Sequence, residues 1–470
     1  MPTAVKIKTS SSSTKQLIIE SPTIPLEEKA SCHFVANYCL IPHSGGMRGF
    51  LDFLIPLLKV RHHLPHLRHA FEACAVASLN NAISHKDEYD KLALANYTQA
   101  LSTTATALRN PAMMKDDATL AAVYLLCLFE TITARSVGTV AWGSHIRGLL
   151  LLIRARGSSQ LQTKSGLDLF VTCRTQGVGS TSLFRHFSVS APNLALQIVR
   201  AMSAGIQLDV GIEVPSKLVY HEPVLHAQEL SLVVCKLKKD ATDLLSKPPT
   251  ADNMSLLRKL VHRCKAMDQQ LIEWTHSLPE SYSWKTVAWE YRVPRGDYST
   301  AEVYPGCIDI YKNVWAASLL NNMRACRIVA SSIMVRCVAL LTWPNDYRTT
   351  IEYAAVTKLW GEEMGDIMAS VPYLLGWFNN RMDLLENSVL SGYGCGDNNA
   401  AKTLPGLLLI WPLSAMEAHD YTTDAQRAWI RGRLKYIGME LGVKSAIEKP
   451  KPSATFRKRP ANQGILKVSQ

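Results

Sequence analysis

The chain has 470 residues, 47% of them hydrophobic, and a formal net charge of +12 at pH 7. This apolar content is enough to bury a large core and excludes a disordered chain. The start, MPTAVKIKTSSSST, has no apolar secretory signal, and the longest apolar run, Ala118–Phe129, is shorter than the roughly 20 residues that span a bilayer. We therefore expect a soluble intracellular protein that makes no contact with a membrane.

The first elements follow a lead of low apolar content. Residues 1–29 are rich in Ser, Thr and Lys and predict a disordered arm. Pro65 suits the first turn of a helix, and the segment from Tyr89 to Leu108 repeats apolar residues at i, i+3 and i+4, which predicts an amphipathic helix. Asp116 or Asp117 is expected to cap a central helix that is apolar nearly all round.

The run HIRGLLLLIRARG predicts a helix with one apolar face. Projected on a helical wheel from Trp142, the buried face includes Trp142 and His145. We expect His145 to be a hydrogen-bonded core residue, with a ligand or catalytic role as the alternative. Gly148 borders this face and is expected to allow a close helix crossing, Arg156 complements the negative end of the helix dipole, and Gly157 fits the C′ position.

The rest of the chain keeps the helical period. We predict helices at about 193–204, 222–246, 252–277, 306–341, 347–369, 373–387 and 424–447. Strand alternation is absent and hairpin turn dipeptides are scarce. The sequence therefore predicts an all-α fold with a single large helical array over residues 30–447.

The eleven cysteines and the fourteen histidines do not form a metal motif. No two cysteines have the C-x2-C spacing of zinc sites, and most stand singly in apolar helical patterns. The run RHHLPHLRH brings together His62, His63, His66 and His69, but Pro65 interrupts it and no carboxylate is adjacent. We predict a solvated helix start there, no disulfide framework, no metal and no cofactor.

Four further patterns fall short of the chemistry that they suggest. They are the pair Asp116 and Asp117, the pair Glu273 and His276, the pair Glu362 and Asp366, and the glycine-rich Gly392–Gly396. A diphosphate site needs further aspartates, a di-iron helical site needs a second Glu-x-x-His, and a phosphate loop needs a preceding strand. We expect a helix cap, solvated helix faces and a loop, and we identify no catalytic residue.

Several runs together resemble the regulatory domain of the fungal-specific zinc binuclear cluster transcription factors. They are DDATLAAVYLLCLFE, AWGSHIRGLLLLIRARG, LDLFVTCRTQ and, near the end, LPGLLLIWPLSAMEAHD. The family motif residues, expected to be structural, are Glu130, Trp142, His145, Gly148, Arg156, Gly157 and Phe170. The resemblance covers residues 30–447 and implies an all-helical domain of transcriptional control that contacts other proteins or a small effector.

The six-cysteine zinc cluster of that family does not occur in this sequence. This cluster would dock a helix in the major groove, so we expect no sequence-specific DNA contact from this chain alone. A gene model that lost its upstream exon is the alternative explanation. The resemblance implies other transcription factors or co-regulators as partners, in homo- or heterodimers.

The end of the chain is strongly basic. From Lys449 onward it carries six Lys or Arg and no Asp or Glu, which predicts a disordered tail over residues 448–470. The candidates for recognition by a nuclear import receptor are Lys449, Lys451, Arg457, Lys458 and Arg459. Weak phosphate contact and an inert solubilising tail are the alternatives.

We therefore predict a nuclear transcriptional regulator or co-regulator of the fungal zinc-cluster type without its own DNA-binding domain. It is expected to act through protein association or effector binding, in connection with a secondary-metabolite gene cluster. The alternative is a small-molecule-binding protein or repurposed enzyme of a fungal biosynthetic pathway on the same helical fold.

Overall fold

Helices make up most of the chain, as the period of its apolar residues predicts. The computed structural model describes residues 24–42, 49–83, 86–134, 140–183, 222–381 and 403–447. The helices of the first half are α1 (Leu26–Tyr38), α2 (Leu54–Arg61), α3 (Pro65–Ala82), α4 (Asp87–Arg109), α5 (Pro111–Met114), α6 (Asp117–Thr133), α7 (Val140–Arg156) and α8 (Lys164–Leu183). The all-α fold is confirmed.

The second half adds a β-hairpin to the helices. Its elements are α9 (Pro223–Leu245), α10 (Ala251–His276), β1 (Trp284–Glu290), β2 (Gly306–Tyr311), α11 (Val314–Thr342), α12 (Ile351–Leu374), α13 (Thr403–Glu417) and α14 (Asp424–Met439). The strands pair antiparallel, with Trp284 opposite Tyr311 and an irregularity between Thr286 and Ala288. The expectation that strands are absent was therefore wrong at this hairpin.

The residues that were predicted to begin or end helices occupy those positions in the structure. Pro65 occupies the first turn of α3, and the Asp116 carboxylate accepts a hydrogen bond from the backbone N–H of Ala118 at 2.8 Å. Gly157 follows α7 with a φ of +69°, which a residue with a side chain rarely adopts. These positions confirm the predicted boundaries of α3, α6 and α7.

Several predicted boundaries were wrong. The helix expected over 306–341 begins at Val314, because Asn313 caps it by accepting the backbone N–H of Ala316 at 2.7 Å. The helix expected over 347–369 begins at Ile351 and continues to Leu374. The helix expected over 424–447 ends at Met439.

Other differences lie at the ends and breaks of the predicted elements. Helix α1 begins at Leu26, inside the segment expected to be the arm. No continuous helix fills 373–381, because Gly376 has a φ of +80° and only a short 3₁₀ turn follows. Helix α13 was not predicted, since Pro405 and Pro412 both interrupt its pattern. The helix expected at 193–204 lies outside the described residues.

The helices form two packed groups that share a boundary. In the first group α3 packs against α1, α4 and α6, and in the second α11 packs against α9, α10, α12 and α13. Helix α8 contacts α9 and α13 across the boundary. The Asn81 side chain donates to the carbonyls of Ile132 at 3.1 Å and Gly442 at 2.7 Å, which ties the end of α6 to the turn after α14.

Helix α11 has the length and apolar composition of a membrane-spanning helix. Polar residues such as Asn321 and Arg324 interrupt its apolar run, so no membrane span was predicted there from the sequence. More than half of its most apolar window is buried, and it packs against four neighbouring helices. This is the pattern of a core helix, which passes the same test of length and composition.

We expect the substitution Gly432→Ala to destabilise the fold. A Cβ atom at Gly432 would lie 2.0 Å from the backbone oxygen of Ser299, so α14 or the loop beside it would have to move. The expected loss in the free energy of unfolding is about 1–2 kcal/mol, measured by urea denaturation. As the matched control, Gly361→Ala in α12 meets nothing within 4 Å and should gain about 0.5–1 kcal/mol from helix propensity. Equal effects of the two substitutions would contradict the close approach.

Candidate functional site

Three side chains of the predicted motif region meet between α4, α6 and α7. We call them the Glu130 centre: Tyr97 of α4, Glu130 of α6 and His145 of α7. The Tyr97 hydroxyl donates to Glu130 Oε1 at 2.6 Å, and His145 Nε2 lies 3.2 Å from that hydroxyl and 3.4 Å from Glu130 Oε1. His145 therefore faces inward with hydrogen-bond partners, as the sequence predicts.

The environment of the Glu130 centre is apolar and closed. The Glu130 side chain is only 2% exposed, and its Oε2 atom has no hydrogen-bond partner in the described structure. The Tyr97 ring stacks on Phe129 with centroids 4.5 Å apart, and burial raises the pKa of the Tyr97 hydroxyl far above its ordinary value. A buried carboxylate that holds one tyrosine and one histidine ties three helices together and offers no exposed nucleophile.

Arg156 at the end of α7 forms a second polar contact between α7 and the start of α6. Its side chain is buried, donates to the carbonyl of Lys115 at 2.9 Å and contacts the carboxylate of Asp117. The hydroxyl of Ser165 donates to the other Asp117 oxygen at 3.0 Å. Arg156 therefore does more than complement a helix dipole, because it pairs with a charge at the start of α6.

The motif residues Gly148, Trp142 and Phe170 form no described contact with the Glu130 centre. A Cβ atom added at Gly148 would meet nothing within 4 Å, so the close helix crossing expected there is wrong for the part of the chain that the structure describes. Trp142 lies in α7, but its side chain lies outside the described residues. Phe170 is fully buried in α8.

The histidines at the start of α3 do not converge. His66 is buried and lies 3.2 Å from the Thr119 hydroxyl, whereas His69 contacts Asn96 at 3.3 Å and Glu72 at 3.4 Å. The solvated helix start predicted here holds for His62 and His63 and is wrong for His66, which α6 covers. Among the described residues, no three His, Cys, Asp or Glu side chains form a group that could hold a metal ion.

The acidic pairs and the basic and glycine-rich segments noted in the sequence do not form a site in the described residues. Asp116 caps α6, and Glu362 is exposed beside Lys358 of the same helix, as expected. The Asp366 side chain is 45% exposed, as expected for a solvated face, and it also forms an ion pair with the buried Arg324, which was not predicted. The import candidates Lys449, Lys451, Arg457, Lys458 and Arg459 and the glycine-rich Gly392–Gly396 lie outside the described residues.

One partly buried charge cluster was not predicted from the sequence. We call it the Arg324 cluster: Arg324 and Arg327 of α11, Asp268 of α10, and Glu363 and Asp366 of α12. Arg324 donates to the Tyr311 hydroxyl at 2.8 Å and lies 3.1 Å from Asp366, while Arg327 pairs with Asp268 at 2.7 Å and contacts Glu363. The signal in the sequence is a pair of arginines three apart within an otherwise apolar helix.

Burial dominates the electrostatics of this cluster. Desolvation raises the pKa of Glu363 to about 7, against the opposite effect of Arg327 and Arg324. It also raises the pKa of Tyr311 to about 12. The cluster therefore joins α10, α11, α12 and the hairpin. Arg324 and Glu363 are buried, whereas Asp268 and Asp366 are partly exposed. The pKa of one carboxyl, that of Glu363, lies near neutral pH.

The β-hairpin exposes aromatic rings beside this cluster. Trp289 is 56% exposed and Tyr291 is 83% exposed, with ring centroids 6.4 Å apart. Trp284 is 40% exposed, and its ring lies over the Arg324 guanidinium at 5.1 Å. Large aromatic side chains concentrated on one exposed strand are typical of a contact surface.

Removing the donor of the Glu130 centre should weaken the fold. The substitution Tyr97→Phe keeps the stacked ring but deprives the buried carboxylate of the 2.6 Å hydrogen bond. We expect the free energy of unfolding to fall by about 1–2 kcal/mol in urea denaturation. The exposed Tyr291→Phe is the matched control, with a change below about 0.5 kcal/mol. No difference between the two variants would show that the hydrogen bond is not formed in solution.

Comparisons with known proteins cover both the motif region and most of the chain. Residues 32–176 match the family described as the fungal specific transcription factor domain. Transcription factor dbaG of Emericella nidulans is 22% identical over 428 residues, which cover 90% of this chain and 90% of that protein. No solved structure matches the chain. The matched family region contains the whole Glu130 centre, and it agrees with the resemblance that the sequence motifs carry.

Proposed function

We propose that this chain, whose residues 32–176 belong to the fungal-specific transcription factor domain family, acts in the nucleus by associating with other transcription factors or co-regulators. The chain is a transcriptional regulator. The relative that is similar along nearly the whole length, dbaG, is by its name a transcription factor.

The observation that carries the proposal is the exposed aromatic surface of the hairpin. Trp289 lies near the end of β1 and Tyr291 directly follows the strand, whereas the Arg324 cluster contacts the other end of the hairpin at Trp284 and Tyr311. By contrast, the motif residues around Glu130 are largely enclosed and contact one another through Glu130 Oε1. Exposed aromatic rings on a hairpin that is anchored at its other end favour contact with a protein partner over chemistry on a substrate.

The proposal also states how the chain relates to DNA and how it enters the nucleus. We assign no sequence-specific DNA contact to this chain alone, since the sequence contains no C-x2-C pair and no zinc cluster. The basic tail, with Lys449, Lys451, Arg457, Lys458 and Arg459, is proposed to be the segment that an import receptor binds. The regulated genes are proposed to belong to a secondary-metabolite cluster.

Proximity labelling in the native host tests the proposal. The full chain fused to a labelling enzyme should mark transcription factors or chromatin proteins above the level of the same enzyme carrying only a nuclear signal. Replacing the five basic tail residues by alanine should move the fusion to the cytoplasm, as seen by microscopy. A cytoplasmic wild-type chain that labels no transcriptional protein would refute the proposal.

A further inference from the structure

Helices α1 and α4 form the walls of a groove whose floor is α3. Both helices pack against α3 and make few contacts with each other. The groove contains a cavity of about 270 Å³. Since one water molecule takes up about 30 Å³, this is room for roughly ten waters, or for a small organic molecule with about as many non-hydrogen atoms.

The inner surface of this cavity is apolar. Ala75 and Val76 of α3 lie on the floor, and Ala30 of α1 and Leu92 of α4 lie on the two walls. The first three side chains are buried and Leu92 is half-buried. Because these side chains form no hydrogen bonds, the floor accommodates an apolar group and leaves polar recognition to the rim.

Arg68, Glu72 and Asn96 form the part of the rim between α3 and α4, and His69 links them. Arg68 Nε lies 3.9 Å from Glu72 Oε1. His69 Nδ1 lies 3.4 Å from Glu72 Oε2 and 3.3 Å from Asn96 Oδ1, and its Nε2 lies 3.5 Å from Arg68 Nη2. The ring therefore donates at Nδ1 and accepts at Nε2, which is the hydrogen bonding of a neutral imidazole. The charge of Arg68 offsets that of Glu72.

Glu27 of α1 gives the rim an excess of negative charge. Its carboxylate is exposed and forms no ion pair or hydrogen bond with the described residues. Two lining carboxylates, Glu27 and Glu72, stand against the single guanidinium of Arg68, so the lining is negative. The charged residues beside the lining do not reverse this sign. They are Glu28 and Lys29 of α1, and Lys86, Asp87, Glu88, Asp90 and Lys91 around the start of α4.

We infer that this cavity is a binding site for a small organic cation, an ammonium group on a short apolar body. The ammonium pairs with Glu27 at the rim, and the apolar body lies on Ala75 and Val76. The inference goes beyond the proposed function, which requires no small ligand.

Anionic and zwitterionic ligands fit the cavity less well. A ligand carboxylate would add negative charge to a lining that is already negative. It could pair with Arg68 only by competing with Glu72, whose own charge would then lose its partner. A neutral ligand of the same shape gains the apolar contacts but leaves Glu27 without a counter-charge. The charge of the lining therefore selects a cation without a carboxylate.

Saturation-transfer difference NMR with the full chain and three matched probes tests the inference. Phenethylamine presents an ammonium group on an apolar body, 2-phenylethanol replaces the ammonium by a neutral hydroxyl, and phenylalanine adds a carboxylate to phenethylamine. We expect phenethylamine to bind with a Kd of about 1 mM, at least about threefold more tightly than either of the others. Absence of phenethylamine binding, or binding no tighter than that of the other two probes, would overturn the inference.

Two adjacent glutamates of α1 provide the variant and its matched control. Glu27→Gln removes the unpaired charge and keeps the shape of the side chain, so the affinity for phenethylamine should fall at least about threefold, to that of 2-phenylethanol. Glu28→Gln removes an exposed charge that does not line the cavity, and it should change the affinity by less than about twofold at about 0.15 M salt. A preference for the ammonium that survives Glu27→Gln, or that Glu28→Gln removes equally, would contradict the site.

A larger side chain on the α4 wall separates binding in the cavity from attraction to the surface charge alone. Leu92 is half-buried and lines the cavity, so Leu92→Trp should fill part of the space and abolish the signals of all three probes. Circular dichroism checks that this variant folds. Phenethylamine binding that persists in the folded variant would show that the cavity is not the site. If the variant does not fold, the comparison of Glu27→Gln with Glu28→Gln still decides the inference.

Discussion

Replacing Arg324 by methionine is expected to lower the free energy of unfolding by about 3 kcal/mol. Arg324 is buried, and its loss leaves the Tyr311 hydroxyl, the Asn321 side chain and Asp366 without their shared donor. Methionine fills similar space, so the loss reports mainly the unpaired polar groups and not a cavity. Asp366 is partly exposed and can regain water, which keeps the expected loss at the lower end for a broken buried ion pair.

The matched control is Arg336→Met in the same helix. Arg336 pairs with Asp420 at 2.7 Å, but both side chains are 55% exposed, so the pair should contribute less than about 1 kcal/mol. Guanidinium denaturation followed by tryptophan fluorescence measures both variants. If Arg324→Met costs no more than Arg336→Met, the cluster does not hold the hairpin against α11 and α12. The aromatic surface would then lie on a hairpin without the anchor that the proposed function requires.

Local patterns predicted those parts of the fold that local chemistry determines. Four helices were predicted correctly because their signals, the apolar periodicity and capping residues such as Pro65 and Asp116, lie close together in the sequence. They are α3, α4, α6 and α7. The inward orientation of His145 followed from the same projection. The partners of His145 did not, since Tyr97 is 48 residues away in the sequence and only the packing of α4 against α6 and α7 brings them together.

The hairpin could not be predicted in the same way. Residues 308–311 of β2 are all buried, including Asp309, because the strand packs against α12. A short strand buried on both faces shows no alternation of apolar and polar residues to detect. The Arg324 cluster was missed for a related reason. An arginine within an apolar helix shows its importance only when its partners, here on the hairpin and on α12, are known.

Stability should fall as the pH rises from about 4.5 to about 7, to an extent that depends on Glu363. Burial raises the pKa of this carboxyl to about 7 in the folded protein, above the ordinary 4.5 that it regains on unfolding. The folded state therefore binds the proton more tightly, so this contribution to stability is complete below pH 4.5 and is lost as the pH rises through 7. A shift of this size corresponds to about 3 kcal/mol at most.

The comparison of the wild type with Glu363→Gln isolates this contribution. Glutamine keeps the shape of the protonated carboxyl and does not titrate, so the difference between the two unfolding free energies should change across this pH range and remain constant above about pH 8. Histidines titrate in the same range, but they do so in both proteins and cancel in the difference. Urea denaturation at a series of pH values measures it. A difference that is independent of pH would mean that Glu363 remains ionised throughout, with Arg327 and Arg324 outweighing its burial.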